Sequence, residues 1–99
     1  EKELHEKIIP LWAIQNYPAS MVKSLLTVFK ARRYFNRLGV SWGWSSHTTG
    51  TLDCILAAWL GASVIEKHIA LSLTDIEGGH SLLPARFARM VEGIRKVER

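Results

Sequence analysis

The chain has 99 residues, 47% of them hydrophobic and 22% charged, which is the composition of one globular domain and not of a disordered segment. Its net charge of +4 is not accompanied by a nucleic-acid-binding motif, so we do not expect nucleic acid as a partner. No apolar run approaches the roughly 18 residues that a membrane span requires, and the start lacks the pattern of a secretory signal. We therefore expect a cytoplasmic protein with no membrane partner.

Cys54 is the single cysteine, so no disulfide can form within the chain. This cysteine usage is typical of a reducing compartment. Because Cys54 lies inside an apolar run, we predict that it is a small core residue and not a nucleophile.

The first half of the chain predicts a strand, a helix and a second strand. Ile8 to Ile14 is a short apolar run closed by turn-prone residues, and it predicts a buried strand. From Met21 to Leu38 apolar residues recur at helical spacing, and Gly39 supplies a C-terminal stop. Val40 to Ser45 has the composition of a strand.

The second half predicts a helix, a strand and a last helix. Apolar residues from Leu52 to Leu60 follow the helical period, and Gly61 closes that helix. Residues 62–70 are rich in β-branched side chains and predict a third strand. After a loop, Pro84 begins a helix. Its predicted apolar face consists of Phe87, Met90, Val91, Ile94 and Val97.

Strands that alternate with helices of this length form parallel βαβ units, so we predict an α/β fold of three βα units around a parallel sheet. In such folds functional side chains gather where strands end. The corresponding segments here are Gln15 to Tyr17, Ser45 to Thr48, and His68 onward. In a second interpretation, Ser45 and Ser46 only cap the helix that begins near Thr49.

Two histidines are candidate metal ligands at these strand ends. Ser45 and His47 share one face of the second strand, and Glu66 and His68 share one face of the third. Because adjacent parallel strands lie about 4.8 Å apart, both imidazoles could reach one ion at about 2.0–2.3 Å. A strand-end histidine is also commonly a hydrogen-bonded loop residue, and Glu66 could pair with Lys67. The spacing alone leaves these interpretations open.

The tryptophans of the second strand predict where the helices pack. Trp42 and Trp44 alternate with Gly43 and Ser45, so we expect both indoles to face the helical layer and not the functional end of the sheet. Trp59 should lie under the same layer.

Three stretches, "NYP", "GWSSHTTG" and "LGASVIEKHI", resemble the sialic acid synthase family, the N-acetylneuraminate synthases and their relatives. In that family they read roughly "YP", "GYSDHT.G" and "LGASVIEKHFTL". The resemblance runs from about Ile8 to Val97. It implies that residues 1–99 are the C-terminal segment of a (β/α)8 TIM barrel, about strands 6 to 8 with their helices.

The resemblance also implies the chemistry. Family members condense phosphoenolpyruvate with an amino-sugar aldehyde such as N-acetylmannosamine, and two histidines bind a divalent metal, typically Mn²⁺ or else Mg²⁺. These histidines correspond to His47 and His68. Ser45 resembles a serine that contacts phosphoenolpyruvate, and Gln15 stands where some members have an asparagine or serine in that role. Tyr17 resembles a sugar-contacting tyrosine.

The sequence departs from the family pattern at two places. Ser46 replaces the usual aspartate, which would remove a carboxylate partner for His47. After the third strand the family has an aspartate that contacts the amino sugar, whereas "EGGHSLLPARF" has none at that place, and His80 stands nearest. The sequence therefore leaves the identity of the sugar open. In addition, Leu83 provides no polar cap for the last helix.

The resemblance covers only part of the family's active site, because the phosphate-binding lysines belong to earlier βα units. Two interpretations follow. The chain is a segment of a phosphoenolpyruvate-dependent synthase, or it is a non-catalytic metal- or ligand-binding remnant of that fold. The partners implied for the synthase are both substrates, the remainder of the barrel, and a second copy in a homodimer of the full-length protein.

Overall fold

A computed structural model describes residues 8–72 and 81–98. Within them strands and helices alternate along the chain. The strands are β1 (Leu11–Ala13), β2 (Gly43–Ser46) and β3 (Val64–Lys67), and the helices are α1 (Met21–Leu38), α2 (Leu52–Trp59) and α3 (Pro84–Val97). The strand order is β1-β2-β3, and both neighbouring pairs are parallel. The predicted α/β class with parallel strands is therefore confirmed.

Each strand is shorter than predicted, and β1 is not buried. The predicted strand from Ile8 to Ile14 shrinks to Leu11–Ala13, which follows Pro10, a residue that has no backbone N–H to donate to a neighbouring strand. Leu11 is 40% exposed because β1 forms an edge of the sheet in the described residues. An edge strand keeps one side of its backbone and part of its side chains in water.

Local sequence signals explain the helix ends. Ser20 caps α1 by accepting a hydrogen bond from the backbone N–H of Lys23, and Gly39 ends the helix with a φ of 67°, a conformation that glycine adopts without strain. Pro84 occupies the first turn of α3. Leu83, the residue before it, makes no side-chain cap bond, which confirms that this helix lacks a polar cap.

The main core lies between the sheet and the helices. Trp42 and Trp44 are buried there against α1, whose contribution comes from Val28, Ala31 and Phe35, and against Ala57 of α2. The Trp42 ring stacks on Phe35 with ring centroids 6.2 Å apart. Both indoles thus face the helical layer, as the alternation of strand side chains predicts.

Trp59 differs from its prediction, because it is 47% exposed on the outer side of α2. The inner side of that helix carries the small residues Cys54, Ala57 and Ala58, all buried. Small residues are required there because Trp44 already fills the space between the sheet and the helix. No helix in the described part of the chain is long and apolar enough to cross a membrane.

Candidate functional site

The strand register places the predicted site residues at the same end of the sheet. Ser45 is paired with Ala13 on one side and with Glu66 on the other. Ser46 and Lys67 form the last pair between β2 and β3. His47 and His68 each follow that pair by one residue, so they leave adjacent strands at equivalent positions. We call the side of the sheet that carries Ser45, His47 and Glu66 the front face.

His47 is held in one orientation by the backbone of β1. It is only 8% exposed, and its Nδ1 atom is hydrogen-bonded to the carbonyl oxygen of Ile14. A carbonyl can only accept, so Nδ1 carries the proton and Nε2 of the neutral ring presents a lone pair. The Tyr17 hydroxyl lies 3.1 Å from Nε2, and the Ser45 hydroxyl lies 3.3 Å from it.

Ser45 lies between His47 and a carboxylate. Its hydroxyl donates to Oε1 of Glu66 at 2.6 Å, across the β2–β3 pair. The interpretation of Glu66 as an ion-pair partner of Lys67 is wrong, because alternation along β3 puts the two side chains on opposite faces and each binds a different group. Glu66 therefore belongs to the front face.

Tyr17 contacts both imidazoles. Its ring is stacked on His47 with centroids 4.1 Å apart, and it meets the ring of His68 edge-on at 6.3 Å. Tyr17 is 52% exposed, so its outer side is open to a ligand. Gln15 is also exposed near the end of β1, but among the described residues it makes no hydrogen bond to the other front-face side chains. His80 lies outside the described residues.

Ser46 lies on the opposite side of the sheet from His47. Its hydroxyl accepts a hydrogen bond from Nζ of Lys67 at 2.9 Å. Ser46 stands where the family has an aspartate that could be a partner of His47, but strand alternation puts the Ser46 and His47 side chains on opposite faces. Neither Ser45 nor Ser46 caps α2, which begins later than predicted, at Leu52 with Thr51 as its N-cap residue.

A buried polar network fills this opposite side, and sequence reasoning missed it. We call it the back-face network, and its members are Trp44, Ser46, Thr48, Asp53 and Lys67. Asp53 accepts hydrogen bonds from the Trp44 indole at 2.9 Å and from the Thr48 hydroxyl at 3.0 Å. Two signals pointed to it. Asp53 interrupts the apolar run of α2, and alternation puts Lys67 on the same side as Ile65.

Burial shapes the ionisation of this region. Burial lowers the pKa of the Lys67 ammonium, the nearby Asp53 carboxylate partly opposes that shift, and Arg86 adds to it. Burial also raises the pKa of the Cys54 thiol to about 12, with the Asp53 carboxylate adding to the shift. Cys54 is 0% exposed, so it stays protonated at neutral pH. The prediction that Cys54 is a small core residue is confirmed, and that it is not a nucleophile stays a prediction.

The sequence model of the NeuB family matches residues 1–99. The chain belongs to the NeuB family. The resemblance to sialic acid synthases found in the sequence is thereby confirmed.

Among its NeuB-family relatives is the pseudaminic acid synthase of Helicobacter pylori, 39% identical over 89 residues, which are 87% of this chain and 25% of the relative. Another is the N,N'-diacetyllegionaminic acid synthase of Legionella pneumophila, 34% identical over 97 residues, which are 96% of this chain and 27% of the relative. The chain thus spans about a quarter of the length of these relatives.

The fold is also that of a solved family structure. The N-acetylneuraminic acid synthetase of Leptospira borgpetersenii, crystallised with citrate, superposes with a TM-score of 0.77 at 24% identity. The match covers 88% of this chain and 30% of that one. The parallel strands and their helices are accordingly part of a TIM barrel, as predicted.

Proposed function

We propose that this chain forms the strand-end part of a synthase active site in which phosphoenolpyruvate condenses with an amino-sugar aldehyde such as N-acetylmannosamine, assisted by a divalent metal. The observation that carries the proposal is the convergence of Tyr17, Ser45, His47 and Glu66 at the carboxyl ends of three parallel strands. Membership of the NeuB family supports it, since the relatives are named as synthases of acidic sugars.

The donor set of the front face fits a divalent cation. Metal-bound histidines usually donate their second ring N–H to a carbonyl or a carboxylate, and His47 makes this bond to Ile14. Its Nε2 lone pair and the His68 imidazole could bind Mn²⁺, and the Glu66 carboxylate nearby is the kind of oxygen donor that both Mn²⁺ and Mg²⁺ favour. The described residues contain no group of three or more His, Cys, Asp or Glu side chains that could hold a metal. Further ligands would come from water, substrate or the rest of the barrel.

A divalent cation bound there would polarise the aldehyde carbonyl toward attack by the methylene carbon of phosphoenolpyruvate. The chain's own residues orient the reactants. The Ser45 hydroxyl can turn away from Glu66 and donate its hydrogen bond to an anionic oxygen of phosphoenolpyruvate. The side-chain amide of Gln15 can donate a hydrogen bond to the same substrate. Tyr17 offers a half-exposed ring and a hydroxyl to the sugar.

The test is an assay of phosphate release by a complete barrel that contains this chain. The reaction forms a carbon–carbon bond, takes up water and releases inorganic phosphate, so phosphate reports turnover. The assay supplies phosphoenolpyruvate, Mn²⁺ and a panel of hexosamine aldehydes that includes N-acetylmannosamine. We expect release with at least one aldehyde. Failure with the whole panel would favour the alternative, a binding remnant that does not catalyse.

The role of the histidines is tested in the same protein. We expect His47→Ala and His68→Ala each to weaken Mn²⁺ binding by about 10-fold or more and to suppress phosphate release. Titration calorimetry measures the affinity. The matched control is Ser41→Ala, because Ser41 is exposed and lies before β2, at the opposite end of that strand from His47. Equal Mn²⁺ affinities in the histidine variants and the control would contradict the shared cation site.

A further inference from the structure

Lys67 is a buried cation that the proposed chemistry does not use. It is 8% exposed, although Glu66 and His68 on either side of it are exposed. Because side chains alternate along β3, its ammonium points away from the front face and into the back-face network. A buried lysine is costly unless its donors are satisfied, so its position needs an explanation.

The acceptors of Lys67 flank His47. Nζ donates to the backbone carbonyl of Thr48 at 2.6 Å and to the hydroxyl of Ser46 at 2.9 Å. The residue before His47 and the residue after it are thus bonded to one ammonium. Lys67 itself immediately precedes His68. A single side chain, next to His68 in the chain, therefore binds the Ser46 hydroxyl on one side of His47 and the Thr48 backbone carbonyl on the other.

Asp53 makes this link rigid. It is fully buried, and its two carboxylate oxygens accept from Thr48 and Trp44. Thr48 is 1% exposed, and its hydroxyl oxygen lies 3.4 Å from Nζ of Lys67. A buried network whose members are all hydrogen-bonded has few alternative arrangements, so it fixes the segment that carries His47.

We propose that Lys67 is a positioning residue that sets the relative placement of His47 and His68 from the opposite side of the sheet. This inference rests on the proposed function, because it concerns the geometry of the same cation site. Lys67 contacts neither the cation nor a substrate in this arrangement. It acts through its hydrogen bonds to Ser46 and Thr48, which hold the backbone of one histidine against the strand that carries the other.

The test uses the complete barrel with Mn²⁺ alone as the probe. Pulsed electron paramagnetic resonance detects the ¹⁴N couplings of imidazoles bound to Mn²⁺, and we expect two in the unsubstituted protein. Lys67→Met keeps the side-chain length but removes the donors. We expect it to lose one of the two couplings and to raise the Kd for Mn²⁺ by about 10-fold or more. Lys96→Met is the matched control, since Lys96 is exposed on α3, and it should change neither quantity.

The outcomes separate this inference from the proposed function. If His47→Ala and His68→Ala each remove one coupling while Lys67→Met keeps both with a Kd within about twofold, the positioning role is overturned and the cation site stands. If the unsubstituted protein shows no imidazole coupling, both are overturned. Should Lys67→Met fail to fold, Ser46→Ala replaces it. That variant removes the 2.9 Å acceptor of the ammonium and leaves Asp53 with both of its donors, so we expect about threefold weaker Mn²⁺ binding, and an unchanged Kd would overturn the role.

Discussion

The two faces of the β2–β3 pair both carry polar side chains, but they differ in how far these side chains reach solvent. On the front face Tyr17 is 52% exposed and Glu66 is also exposed, while Ser45 and His47 between them are buried. On the back face Asp53 and Ser46 are 0% exposed and bond only to protein groups. Consecutive residues of one strand therefore lie in two environments. In the proposed site, one face binds the cation and the substrates, and the other holds the binding face in place.

Trp44 provides the strongest test of this division, because it is both a core residue and a donor of the back-face network. We expect Trp44→Ala to lower the free energy of unfolding by about 3–5 kcal/mol, through the cavity it leaves and the hydrogen bond that Asp53 loses. Trp59→Ala is the matched control, since Trp59 is 47% exposed, and about 1 kcal/mol is expected for it. Urea denaturation measures both, and equal losses would contradict the assignment of Trp59 to the outer surface.

The carboxylates of the two faces offer a matched pair of substitutions. Asp53→Asn puts an amide NH₂ against a buried donor and removes the negative charge near Lys67, so we expect a loss of about 2–3 kcal/mol in the free energy of unfolding. Glu66→Gln makes the same chemical change on the exposed front face, where a change within about 0.5 kcal/mol is expected. Urea denaturation of both variants is again the measurement. A loss for Glu66→Gln as large as that for Asp53→Asn would remove the distinction between the faces.

The sequence predicted more of the fold than of the site. Helical periodicity placed α1 and α3 correctly because it is repeated over several turns, and the glycine and proline at their ends are local signals. The lengths of the strands were overestimated. A strand ends where its neighbour no longer pairs with it, and the sequence of one strand does not show how far its neighbour stays extended. Family resemblance and strand alternation brought Tyr17, Ser45 and His47 together.

The back-face network was not predicted, for a physical reason. Its hydrogen bonds join a loop residue, a helix residue and a strand residue, so the pairing depends on how α2 packs on the sheet. Strand alternation could have assigned Ser46 and Lys67 to one side, because each immediately precedes a histidine that belongs to the opposite face. The family pattern instead points to position 46 as that of a carboxylate partner for His47, although its side chain lies on the other face of the strand.

A pH-dependent loss of stability is expected at Cys54, which lies behind the network and has a hydrogen bond with Ser46. Its pKa rises from 9.0 in the unfolded chain to about 12 in the folded protein, so the folded state keeps a proton that the unfolded state loses above pH 9. Stability must then fall as the pH rises from about 9 to about 12, by at most about 1.4 kcal/mol per pH unit. Other groups titrate in this range, so the measurement is the difference from Cys54→Ala.

We expect urea denaturation to show that wild type loses stability relative to Cys54→Ala between pH 9 and pH 10, by about 1 kcal/mol, and that the difference is constant from pH 6 to pH 8. Ala is the appropriate replacement because the inner side of α2 already accepts Ala57 and Ala58. A constant difference across the whole range would mean that the thiol ionises as easily in the folded protein as in water. The region behind Ser46 would then be open to solvent, and the contrast between a wet front face and a dry back face would be lost.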